Sequence, residues 1–124
     1  MIRPKVYVAT VHWNSDDWVA IQLKSLKKYI PLEMEIFAFV DGVSPELTGD
    51  FDQTFFDEGA PHFEKLDFLA QEISKVAREE DIILFIDGDA FPINGLGPVF
   101  DDLKDFPLVA VRRDENFGDK QPHP

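Results

Sequence analysis

Ile82-Ile83-Leu84-Phe85-Ile86-Asp87-Gly88-Asp89-Ala90-Phe91 is the stretch that decides the fold. Five apolar residues end abruptly in two aspartates one residue apart. A continuous apolar run bounded by Asp and Gly reads as a strand buried on both faces of a parallel sheet. The aspartates then stand at the strand's carboxyl end, where open α/β sheets bind their ligands. Two hard oxygen donors fixed there suit a Mg²⁺ or Mn²⁺ ion shared with a phosphate. The plainer reading is a strand that stops at a polar turn, because Asp-Gly is a common turn pair.

The flanking sequence repeats the pattern. Val6–Val11 is an apolar, β-branched run and reads as another buried strand. Ser15 follows as a helix N-cap, with Asp16 and Asp17 at the positive end of the helix dipole. Trp18, Val19, Leu23, Leu26 and Ile30 recur at helical spacing, and Pro31 ends the helix. Ile36–Val40 is a further buried strand, closed by Asp41-Gly42. Residues 43–61 are irregular and punctuated by Pro45, Gly49, Gly59 and Pro61, with Thr54-Phe55-Phe56 as a short edge strand. A second helix carries an apolar stripe of Leu66, Leu69, Ala70, Ile73, Val76 and Ala77, while Glu64, Lys65, Glu72, Lys75 and Glu79 face water. After the Asp-Gly-Asp strand come a loop over 92–105 with a helical turn near Val99-Phe100, a last strand at Leu108–Val111, and a polar tail.

Strand, helix, strand, helix, strand is the alternation of an α/β fold: an open, mostly parallel sheet with helices on both faces. Val6–Val11 is expected at its centre, with Ile36–Val40 and Ile82–Ile86 on either side. The carboxyl ends of these three strands carry Val11-His12-Trp13, Asp41-Gly42 and Asp87-Gly88-Asp89 along one edge.

The composition narrows the function classes. The chain of 124 residues is one domain or part of one, and its 44% hydrophobic content with 12 phenylalanines supplies a core. A formal net charge of −12 argues against nucleic acid or an anionic membrane as partner. The same charge opposes an anionic ligand unless a divalent cation accompanies it. With no cysteine, a disulfide framework, a thiolate zinc site and a Cys nucleophile are excluded. No stretch approaches the roughly 20 apolar residues of a membrane span. Met1–Lys5 lacks a signal-peptide pattern, which makes a cytoplasmic location the default expectation.

The order of these segments resembles the nucleotide-sugar-dependent glycosyltransferases of the GT-A fold. Phe39-Val40-Asp41-Gly42-Val43-Ser44 is similar to that family's strand-plus-Asp segment, and Ile83–Phe91 to its metal-binding Asp-X-Asp strand. The resemblance covers about residues 3 to 113, leaving 113–124 as tail. It implies a single nucleotide-diphosphate-sugar-binding domain over 1–124 that transfers a glycosyl group, with Mn²⁺ or Mg²⁺ as cofactor. Asp89 would bridge the metal to the diphosphate, and Asp87 would contribute to metal or ribose. Asp41 would accept a hydrogen bond from base or ribose, or simply start a turn. Thr10, Val11, His12 and Trp13 leave the first strand beside it. Their backbone would hold a uracil-like edge, with Trp13 or His12 stacked on the base; Trp13 reads equally well as a core aromatic. Lys65, in the first turn of the second helix, would add a cation near the diphosphate, or lie on a solvated helix face.

Domains of this family usually run well past the Asp-X-Asp strand, and the later half supplies the acceptor site. The resemblance therefore implies a fragment, or a reduced form that binds a donor without transferring it, with the acceptor unidentified. Arg112 and Arg113 follow the last strand, where they would neutralise phosphate or contact an acceptor, or lie on the surface; His123 would be a metal ligand, or part of a disordered terminus. Two other readings stand beside this one. A haloacid-dehalogenase-type phosphohydrolase also places two aspartates after a strand, with the first as nucleophile, but usually in its first strand and followed by Thr, where this chain has Ala90-Phe91. A non-catalytic interaction module would make the acidic edge incidental.

Overall fold

The computed structural model describes residues 4–95 and 97–98. Over them run β1 (Val6–Trp13), α1 (Asp16–Tyr29), β2 (Met34–Asp41), a single 3₁₀ turn at Pro45–Leu47, β3 (Gln53–Phe55), α2 (His62–Ser74) and β4 (Ile82–Asp87). The strands form one sheet in the order β3-β2-β1-β4, and every pairing is parallel. The expected centre and flanks are therefore present. Val6 pairs with Met34 on one side and Ile82 on the other, and Val11 pairs with Phe39 and Asp87.

Strand alternation sends successive side chains to opposite faces. Val6, Val8, Ile36, Ala38 and Val40 face α1 and pack with Val19, Leu23 and Leu26. Tyr7, Ala9, Val11, Phe37 and Phe39 face α2 and pack with Leu69 and Ile73. Neither helix has a side-chain N-cap hydrogen bond. A cap contributes about 1 kcal/mol, whereas each buried aliphatic side chain contributes roughly 1.5–3 kcal/mol. Packing therefore decides where the helices sit.

Three expectations need correction. β3 is Gln53–Phe55, one residue earlier than expected. Its entry is anchored by Asp52, whose backbone N–H donates to the Ile36 carbonyl and whose carboxylate accepts the Ile36 N–H. Val76 lies beyond the end of α2 and is exposed, so the apolar stripe outruns its helix. β4 is not buried on both faces. Ile82, Leu84 and Ile86 pack against the α1-side core, while Ile83 and Phe85 are exposed. α2 spends its apolar face on β1 and β2, and β4 ends the strand order among the described residues. The expected helical turn at Val99-Phe100 and strand at Leu108–Val111 lie outside the described residues. Among those residues no helix is long and apolar enough to cross a membrane.

Candidate functional site

The strand order opens a crevice at one end of the sheet. β2 and β3 lie on one side of β1, β4 on the other, and their crossovers run over opposite faces. A doubly wound sheet opens a crevice at such a reversal, outside the carboxyl ends of the strands. Here the crevice lies beyond Trp13 of β1 and Asp87 of β4. It is a cleft of about 460 Å³, walled by Trp13, Trp18, Ser15, His62, Asp87 and Asp89. Trp13 is 64% exposed, so it is not a core aromatic. His62 Nε2 lies 3.8 Å from Asp87 Oδ1.

Asp87, Gly88, Asp89 and Ala90 form a tight turn in which the Ala90 N–H donates to the Asp87 carbonyl at 3.0 Å. Both carboxylates are exposed. Gly88 is buried between them because the turn presses on β1. A Cβ there would collide with the Val11 carbonyl oxygen and stand 3.0 Å from His12 Nδ1. The glycine is needed for this close approach and not for its backbone angle.

Behind the turn lies a buried polar chain. The Gln22 side-chain amide donates to the Asp87 carbonyl at 2.7 Å and to the Ala90 carbonyl at 2.9 Å. Its two N–H groups are thereby used, so Oε1 is an acceptor and takes the His12 Nε2–H at 2.8 Å. His12 Nδ1 is then the acceptor for the Ser15 hydroxyl at 2.7 Å. Ser15 stands at the N-cap position of α1 but makes no cap bond, because its hydroxyl is turned to His12. The His12 ring is wholly buried and packs against Phe51 in a tilted arrangement, with ring centres 5.5 Å apart. Of the two aromatics expected to stack on a base, only Trp13 presents a free face.

Burial pushes the His12 pKa below its ordinary value, against the opposing effects of Gln22 and Asp89. A histidine held neutral in the fold and free to charge when unfolded binds more protons in the unfolded state. Its contribution is therefore complete above about pH 6.5 and is lost as pH falls from there toward its folded value. Urea unfolding between pH 7.5 and 5 should show stability falling with pH, and His12→Gln should flatten that slope. An unchanged slope would place the pH dependence elsewhere.

Asp41 and Lys65 occupy a different place from the one expected. Asp41 Oδ1 accepts the Asp57 N–H at 2.8 Å, and Oδ2 accepts Lys65 Nζ at 2.9 Å. The two side chains are 2% and 5% exposed. The carboxylate expected to meet a base or ribose is thus engaged inside the fold. Lys65 is neither solvated nor aimed at the crevice, since it reaches back under α2 and lies 5.6 Å from the Phe39 ring centre. A buried amine and carboxylate need one another, since either alone is costly in a low-dielectric interior. Their neighbourhood is a second cleft of about 280 Å³, walled by Phe39, Phe55, Phe56 and Phe68.

Of the residues singled out in sequence, Val11, Trp13, Asp87 and Asp89 meet at the first cleft. Thr10 is buried beneath it, its hydroxyl without a hydrogen-bond partner among the described residues. Asp41 and Lys65 lie apart from it. Gln22 was not singled out, although a glutamine among Val19, Leu23 and Leu26 on one helix is a signal of an internal polar role. Arg112, Arg113 and His123 lie outside the described residues.

Two exposed carboxylates on one turn fit a cation of the Mg²⁺ type, which takes one or two protein carboxylates and completes its shell with water and phosphate. Among the described residues no group of three or more His, Asp or Glu side chains is close enough to hold a metal unaided. Such an ion would therefore depend on the ligand's own oxygens. No family model matches this sequence, and no curated protein matches it.

Proposed function

We propose that the chain is a donor-binding domain of the glycosyltransferase type, which holds a nucleotide-diphosphate sugar at the crevice between β1 and β4. The observation that carries this reading is the meeting of Asp87, Asp89 and exposed Trp13 at the reversal point of a parallel sheet. Asp87 and Asp89 would hold a Mn²⁺ or Mg²⁺ ion. When bound, the ion offsets the diphosphate's charge and acts as a Lewis acid on the departing nucleotide. Trp13 offers its indole face to the base or the sugar, and the backbone from Val11 to Trp13 supplies polar edges. Asp41 and Lys65 have no part in ligand contact on this reading; they brace the sheet edge beside it.

The net charge of −12 supports a metal-dependent mode. An acidic protein repels a bare diphosphate, and a divalent cation at the acidic turn reverses the local sign. The test is calorimetric titration with UDP and with other nucleoside diphosphates, each with and without Mn²⁺. Binding is expected only with the metal. Equal binding without it, or none with any nucleotide, would overturn the proposal. Hydrolysis of a phosphomonoester by the chain would instead support the phosphohydrolase reading.

A further inference from the structure

Three side chains of α1 at positions i, i+4 and i+7 make contact with the segment that follows β4. Trp18 packs against Phe91 with ring centres 6.2 Å apart. Gln22 donates to the Asp87 and Ala90 carbonyls. The Ser25 hydroxyl donates to the Pro92 carbonyl. Residues at this spacing share one stripe of a helix. The stripe lies beside the apolar Val19–Leu23–Leu26 stripe, which packs on the sheet. α1 therefore packs on the core with one row and grips residues 87–92 with the adjacent row.

We infer that Gln22, oriented by His12, is a positioning residue that sets the conformation of the Asp87–Ala90 turn and so the placement of its two carboxylates. This rests on the proposed metal-dependent reading only for what the turn is used for. The geometry is over-determined. One planar amide joins both ends of a four-residue turn, so its two donors fix the separation of the Asp87 and Ala90 carbonyls. The amide cannot flip, because the Asp87 and Ala90 carbonyls only accept and so hold Nε2 on their side; Oε1 then requires an N–H at His12 Nε2, and the Ser15 hydroxyl donates to Nδ1 of that tautomer. Gly88 lets the turn sit close enough to β1 for the amide to reach it. Gln22 is fully buried and both carbonyls are 2.9 Å or nearer, so no water need intervene. A loop bearing an exposed carboxylate pair would otherwise be among the softer parts of the fold. Supporting groups of this kind hold ligands to the tolerances that metal sites require.

The test uses the full chain and two variants. Gln22→Met keeps the length and removes all polar atoms. Gln22→Glu keeps the shape and an acceptor for His12, and removes the two donors. In the parent chain, through-hydrogen-bond scalar couplings are expected from Gln22 Nε2 to the carbonyl carbons of Asp87 and Ala90. In both variants, amide exchange at Ala90, whose N–H bonds the Asp87 carbonyl, should rise at least about tenfold, while β1 and β2 amides keep their protection. Affinity for Mn²⁺ with UDP should fall about 10–100-fold, the range that outer-shell substitutions cost. Missing couplings, or turn exchange unchanged in Gln22→Glu, would overturn the inference. So would a parent chain that binds Mn²⁺ with UDP measurably but no more tightly than its variants. A parent chain that binds neither would overturn the glycosyltransferase reading, with the exchange result still deciding the positioning role.

Discussion

Replacing Lys65 by methionine is expected to be the most damaging single change to stability, at about 3–5 kcal/mol. Methionine fills much of the volume of the lysine stem, so little packing is lost. What is lost is the partner of a carboxylate that is 2% exposed. Asp41 would keep one hydrogen bond, from the Asp57 N–H, and would otherwise face the Phe39 side of the interior without compensation. A small domain has only about 5–15 kcal/mol in total. The loss should therefore lower Tm by on the order of 10–20 °C. Urea unfolding read by tryptophan fluorescence would measure it. A cost below about 1 kcal/mol, the range of an exposed ion pair, would mean that the pair is solvated.

The companion change separates the charge from the residue. Asp41→Asn combined with Lys65→Met removes both charges and keeps an amide oxygen for the Asp57 N–H. The double variant is expected to be more stable than Lys65→Met alone, because no unpaired charge remains inside. Residues in direct contact couple in this non-additive way. Simple addition of the two single costs would show that the pair does not interact as its 2.9 Å separation requires.

These two residues also mark the limit of what the sequence discloses. The sheet was legible because Ile36–Val40 and Ile82–Ile86 are unbroken apolar runs and Val6–Val11 is broken only by Thr10, so no polar period confuses the reading. The crevice was legible for the same reason, since strand ends in a parallel sheet share one edge. Lys65 was not legible. Helical periodicity places a charged residue by its angle alone, and that angle pointed outward beside Glu64. The tertiary pairing with Asp41, 24 positions away, overrode it. Asp41 carries two readings in sequence, ligand contact or the start of a turn; the chain does turn at Gly42, and the Asp41 oxygens are closed off by Asp57 and Lys65. Ser15 shows the same competition at short range. A local cap was expected, and a neighbouring imidazole took the hydroxyl instead. In β4 the error was one of coverage. Ile83 and Phe85 are as apolar as a doubly buried strand requires, but α2 packs over β1 and β2.

On the proposed reading, Asp89→Ala should abolish metal-dependent nucleotide binding while leaving the fold intact. Asp89 is exposed at the apex of the turn, and the hydrogen bonds that shape the turn run through the backbone of Asp87 and Ala90. Removing the side chain disturbs none of them. It also relieves self-repulsion in a chain of net charge −12, so thermal stability should be unchanged or slightly higher. Binding should respond strongly, because a Mg²⁺-type site has only one or two protein carboxylates to lose. Affinity for Mn²⁺ with UDP should fall by more than about 100-fold, beyond the range that outer-shell substitutions cost. Asp87→Ala should fall similarly, with a change at His62, whose Nε2 stands 3.8 Å from the lost oxygen. Lys65→Met sets the contrast: it should destabilise the fold yet leave nucleotide affinity nearly intact at temperatures where the chain is folded. Paired calorimetry and melting on the three variants would decide among these. Retained affinity in Asp89→Ala would remove the metal from the turn, and with it the reason to read this edge as a donor site.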